Sequence, residues 1–139
     1  MSIKGEILSN FKSYLENLGI FTKVERGLIS LADAKKWKFP LCVFNSLKVE
    51  TKSIEYNTAT YRLYVDLRIY NQTSKSDNYF DTLDNLQEEV LKTFNCLEPN
   101  TIHSKLINIQ VIQSDEPIND EYIDGLYEIR FVIIFDYRI

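Results

Sequence analysis

Apolar and polar positions alternate along residues 58–70, TATYRLYVDLRIY. Tyr61, Leu63, Val65, Leu67 and Ile69 form one row, and Thr60, Arg62, Tyr64, Asp66, Arg68 and Tyr70 form the other. Successive side chains of a strand point to opposite faces, so this pattern predicts a long strand with one greasy and one polar side. The end of the chain repeats it over 126–139, where Tyr127, Ile129, Phe131, Ile133, Phe135 and Tyr137 share a face. Two long strands of matching character predict an antiparallel sheet.

Two stretches change period. Ile3, Ile7, Leu8, Phe11, Leu15 and Leu18 recur every three or four residues, which predicts a helix over 3–18 that Gly19 ends in a left-handed conformation. Tyr79, Phe80, Leu83, Leu86, Val90, Leu91 and Phe94 trace a second apolar stripe, with Asp81, Asp84, Glu88, Glu89 and Lys92 around the rest of the helix. Ser74, Ser76 or Asp77 in the preceding polar run can cap that helix by accepting its free backbone donors. Such a stripe serves far more often as core contact than as a cofactor box.

Shorter strands fill the remainder. Residues 20–24 read as a brief strand, and 26–39 as a mixed connection with room for a helical turn around Ala32–Trp37. A strand is expected from Leu41 to about Glu50, with Leu41, Val43, Leu47 and Val49 on one face, Asn45 as its exception and Pro40 at its start. The polar loop 51–57 then closes an antiparallel hairpin onto the strand at 58–70. A loop with Pro99 leads to a fourth strand over 106–113, and the polar loop 114–125 closes a hairpin onto the last one. The order helix, strand, strand, strand, helix, strand, strand predicts one α+β domain over 1–139. Its mainly antiparallel sheet has four to five strands, both amphipathic helices pack on one face, and the other face is more polar.

Composition narrows the function classes. A chain of 139 residues with 45% hydrophobic and 26% charged side chains is ordinary for one globular unit. A net charge of −4 offers no general attraction to nucleic acid or anionic lipid. No apolar run has the length of a signal peptide core or a membrane span, which predicts a protein made in the cytoplasm. Cys42 and Cys96 lie on separate elements without a CxxC partner, and are expected as reduced, partly buried thiols.

Candidate chemistry is sparse. Glu50, Thr51 and Lys52 form an ExK triplet which, with Asp33, is the residue set that metal-dependent nucleases use to hold a hard cation, although a charged strand end needs no such role. His103, the single histidine, has no carboxylate or cysteine at ligand spacing and is expected in a solvated loop; Thr101 and Ser104 beside it lack any nucleophile motif. The loop holding Asp115, Glu116, Asp120, Glu121 and Asp124 departs from calcium-loop spacing, so it is expected as a solvated hairpin end or as a charged surface for a basic partner. The four glycines are scattered, which leaves no phosphate loop. No catalytic residue, metal ligand or cofactor site is therefore assigned, and the expectation is a protein that is not an enzyme. Trp37 reads either as a plug over the core or as an interface anchor. The row Arg62, Tyr64, Arg68 mixes residue types enriched at protein interfaces, and can also pair across strands with Glu128 and Arg130.

The opening helix ending in LENLG, the FPLCVF strand, the YRLYVDLRIY strand leading to the SDNYFDTLDNLQEEVLKTF helix, and the closing GLYEIRFVIIFDYRI strand together resemble the tail terminator, or tail-completion, proteins of long-tailed bacteriophages, over nearly the full chain. The resemblance implies a structural subunit of a ring, typically a hexamer. That ring caps the head-proximal end of the tail tube, stops its polymerisation and offers the surface to which the filled head attaches. The implied partners are further copies of the chain, the major tail tube protein and a head-completion or connector protein, with DNA passing through the ring. The implied location is the tail neck of the virion, after assembly in the host cytoplasm. Interface contacts are expected from loop 51–57, from Asp115, Glu116 and Asp120, and from Arg62, Tyr64 and Arg68. Another neck connector or stopper, a free-standing ligand- or partner-binding module and, more remotely, the nuclease are the competing expectations.

Overall fold

A computed structural model describes residues 1–27, 36–72, 79–120, 123 and 125–139, with Tyr79 described by its backbone. Asp33, the 32–35 part of the expected helical turn, the capping candidates Ser74, Ser76 and Asp77, and the acidic residues Glu121 and Asp124 lie outside the described residues.

The fold is α+β, with two helices packed against one side of a mixed, mostly antiparallel sheet. Helix α1 spans Ile3–Asn17, and Ser2 caps it by accepting the Gly5 N–H at 3.0 Å. Gly19 follows at φ +76°, the left-handed exit expected from the sequence. Strand β1 is Lys23–Arg26, β2 is Leu41–Glu55 and β3 is Thr58–Gln72. Helix α2 is Tyr79–Asn95 and a short 3₁₀ turn covers Pro99–Thr101. Strand β4 is Leu106–Ser114, β5 is Ile118–Asn119 and β6 is Leu126–Arg138.

The sheet order is β1-β2-β3-β6-β4, with β5 also on β6. As the alternation implied, β3 pairs antiparallel with both β2 and β6, and β4 pairs antiparallel with β6. Three details differ from the sequence reading. Strand β1 begins later than Ile20, because the Thr22 N–H first meets the Pro40 carbonyl (2.9 Å) before the ladder starts, and it runs parallel to β2. Strand β2 continues through the expected loop at 51–55, leaving a two-residue turn at Tyr56 and Asn57, both with positive φ. The expected polar loop after β4 is tied along β6, by Asp115 N–H to the Arg130 carbonyl (2.9 Å) and then by the short strand β5.

The core lies between the helices and the Leu63, Val65, Leu67, Ile69 face of β3. It gathers Ile7, Leu8, Phe11 and Leu15 from α1, Leu83, Leu86, Val90 and Phe94 from α2, and the odd-numbered residues of β6. Phe11 is its centre, with ring centroids 5.0 Å from Phe135, 5.4 Å from Phe44 and 5.7 Å from Phe94. Phe80 departs from the stripe of α2 and is exposed, its ring edge-on to Tyr127 at 6.3 Å.

Strand β2 feeds this core differently from the expected face. Cys42 and Phe44 enter it, whereas Leu41 and Val43 point to the opposite side of the sheet and join Tyr70, Leu126, Trp37, Phe39 and Ile123 in a second, smaller cluster. Irregular pairing at Leu47 then shifts the register, so that Val49 lies opposite Leu63, on the helix side. Leu41 and Val49 therefore occupy opposite faces. Trp37 is half-buried against Tyr70 (centroids 5.3 Å), as a plug over that smaller cluster.

Candidate interaction surface

The sheet face away from the helices carries the polar row of β3, and its geometry follows from register. Arg68 lies directly opposite Arg130, and Arg62 opposite Asp136. Two like charges in register repel, and this pair is reconciled by Asp66, which accepts from Arg68 Nε at 3.0 Å and from Arg130 Nε at 2.8 Å. Glu128 adds a second carboxylate, 3.3 Å from Arg68 Nη1. The cross-strand pairing that the sequence allowed is present, and it uses the cations that the sequence also offered as interface residues.

A tighter site lies nearer the chain end. The Asp136 side chain is 0% exposed although it belongs to the polar face. Its Oδ1 accepts from Arg62 Nε (2.8 Å). Its Oδ2 accepts from Arg62 Nη2 (3.1 Å), Lys52 Nζ (3.0 Å) and Asn108 Nδ2 (3.3 Å). Burial alone pushes a carboxyl up; here the hydrogen bonds from Arg62, Lys52 and Asn108 outweigh it and hold Asp136 below the ordinary carboxylate range. Lys52 reaches this site from a second irregularity of β2, between Thr51 and Ser53.

Tyr64 belongs to a more exposed group. Its hydroxyl donates to Glu50 Oε2 (2.9 Å), Lys48 Nζ donates to Glu50 Oε1 (2.9 Å), and the same ammonium sits 4.6 Å from the Tyr64 ring centroid. The ExK triplet is thus divided, with Glu50 held by Lys48 and Tyr64 while Lys52 turns to Asp136. Among the described residues, no group of three or more His, Cys, Asp and Glu side chains is placed to hold a metal ion.

The outer half of β2 is exposed while β3 beside it is paired with β6. Every β2 residue from Leu47 to Glu55 is exposed, which at about 3.4 Å per residue makes an exposed edge, here called the arm, of about 30 Å. Leu47, Val49, Ile54 and Tyr56 are large apolar side chains upon it, and Tyr56 is 98% exposed at the turn. A bulky residue at φ +28° is an unusual choice where Asn or Gly relaxes the backbone. Strand β1 covers the outer edge of β2 only as far as Phe44, and among the described residues no strand pairs with that edge beyond it.

The acidic segment lies at the opposite end of the sheet. Asp115 accepts from Gln113 through Oδ1 (2.9 Å), and its carbonyl accepts from Gln87 of α2 (2.9 Å). Asp120 Oδ1 accepts the Ile123 N–H (2.9 Å), and Glu116 is exposed. Of the six interface residues proposed from sequence, Arg62, Tyr64 and Arg68 lie on β3, and Asp115, Glu116 and Asp120 follow β4, beside the Arg68 end of that row, where the Asp115 N–H meets the carbonyl of Arg130, the residue opposite Arg68.

His103 corrects its expectation. It is 12% exposed, and its Nδ1 accepts the Lys105 N–H (3.0 Å), so Nε2 carries the proton and donates to Glu6 Oε2 (2.8 Å). The partner is 97 residues away in sequence, which ligand spacing could not reveal. Cys42 is buried, with burial pushing its thiol up, and Cys96 is exposed rather than partly buried. A groove of about 300 Å³ runs beside Val43, Asn45, Leu47 and Tyr70, but its charged residues, Asp66 and Arg68, already pair with each other. Among the described residues, no helix is long and apolar enough to cross a membrane.

The Asp136 site and the exposed apolar residues of the arm are what sequence reasoning missed. The ExK triplet marked Lys52 for another role, and the alternation of β2 gave no sign that its outer half is exposed. No family model matches the chain, and no curated protein matches it.

Proposed function

We propose that the protein is a structural subunit of a bacteriophage tail, a tail terminator that forms a ring on the head-proximal end of the tail tube, stops tube polymerisation and provides the head-joining surface. The observation that carries this reading is the arm: an exposed stretch of β2 about 30 Å long that, with the turn after it, presents Leu47, Val49, Ile54 and Tyr56. A ring subunit needs one surface that reaches a neighbour and a different surface that receives it, because the contacts are heterologous and close by rotation. An exposed strand edge that carries apolar side chains suits the reaching surface. The order of elements, shared with the resemblance drawn from sequence, supports the same assignment.

In this reading the ring is a hexamer, the arm contacts the next copy, and the sheet face and acidic segment are left for the tail tube protein and the head-completion protein. The protein works in the tail neck of the virion, through binding rather than catalysis. The test is the mass of the purified protein by light scattering across a concentration series, with negative-stain micrographs, in the absence and presence of tail tubes. Closed rings, free or on tube ends, are expected, and Ile54→Asp with Tyr56→Asp should abolish them. A protein that stays monomeric and leaves tube ends bare overturns the reading.

A further inference from the structure

We infer that Asp136 is a latch that pins the arm, the exposed outer half of β2, to the rest of the sheet. Strand β3 is paired with β6 along its length, so among the described residues this part of β2 rests on a single ladder, the one to β3. It is exposed from Leu47 onward, and of β2 only Cys42 and Phe44 enter the buried core under the described helices. Register shifts near Leu47 and Lys52 interrupt the β2–β3 ladder, and such irregularities are where a strand pair bends and twists.

One carboxylate bridges this weak region. Lys52 reaches it from β2, Arg62 from β3 and Asn108 from β4, while Asp136 itself belongs to β6. Four strands thus converge on one side chain that is wholly buried only three residues from Ile139. On the other side of the sheet, Tyr61 packs against Tyr137 with centroids 5.6 Å apart, so the same pair of strands is gripped from both faces. Without the carboxylate, Arg62 and Lys52 are two cations brought together with nothing between them. The irregularity at Lys52 then becomes a hinge. The exposed group of Lys48, Glu50 and Tyr64 ties β2 to β3 but reaches neither β4 nor β6, so it cannot take over this task.

The latch is a property of the free subunit, and its test does not depend on ring formation. Hydrogen exchange is followed in the unmodified protein, in Asp136→Asn, which keeps the shape and removes the charge, and in Lys52→Met, which keeps most of the stem. Glu55→Gln, at an exposed carboxylate of the same arm, is the control. Asp136→Asn is expected to speed exchange in peptides spanning 46–62 by about tenfold, with peptides from α1 and from 41–44 within about twofold of the unmodified protein. Lys52 is 46% exposed, so its replacement leaves the core intact; Lys52→Met should speed exchange over 50–56 alone. Unchanged arm protection in Asp136→Asn, or an equal rise in α1 and the arm, overturns the inference. If Asp136→Asn does not fold, Lys52→Met decides: a local rise upholds the latch and no rise overturns it.

Discussion

Strand β2 has two halves. From Leu41 to Phe44 it is buried, with Cys42 and Phe44 under the helices and Leu41 and Val43 under the Trp37 cluster; from Leu47 to Glu55 it is exposed throughout. The first half is held by apolar burial, which is non-directional and strong in sum. The second is held by backbone pairing to β3 and by charged side chains anchored at Asp136, which depend on register and geometry. One strand can therefore serve as core and as an exposed contact edge, provided the exposed part is tied by directed bonds where no described helix covers it.

The comparison breaks most severely in the buried half. Phe11→Ala removes the ring that touches Phe44, Phe94 and Phe135, and should cost about 3–5 kcal/mol, read as a lower urea midpoint. Arg62→Ala should cost less, about 2–3 kcal/mol, because Lys52 and Asn108 still hold the stranded carboxylate. A loss as large as that of Phe11→Ala would mean that the Asp136 site, rather than the aromatic cluster, dominates stability.

Acid sharpens the same contrast. The folded Asp136 has a pKa below its ordinary value of 3.8, so its contribution is present above that value and fades as pH falls through the depressed one. Urea midpoints should therefore drop more steeply below about pH 4 in the unmodified protein than in Asp136→Asn, where this group no longer titrates. Equal slopes would show that Asp136 is not coupled to folding. At the small end, Ile54→Asp lies on a side chain that is 77% exposed and should change stability by no more than about 0.5 kcal/mol. A thermal melt shifted well beyond that would mean the arm is packed against something, and would remove the contrast between the two halves.

Much of this fold was legible because its signals are local. Alternation in 58–70 and 126–139 named two strands that do pair, and three- and four-residue spacing named both helices to within a residue or two. The candidate surface was legible in residue type alone. Arg62 and Arg68 are each paired with a carboxylate of their own sheet, so the exposed apolar residues of the arm carry the contact argument instead.

By itself the sequence determined which stretches are strand or helix and which side of most of them is greasy, since both follow from the repeat of side chains along a few turns or residues. Only the tertiary structure decided that irregular pairing at Leu47 carries Val49 to the side opposite Leu41, that β1 joins in parallel, that His103 meets Glu6, and that Asp136 gathers Lys52, Arg62 and Asn108. Each of these depends on which strands become neighbours and in what register. Chain segments far apart in sequence settle that jointly, and no local pattern encodes it.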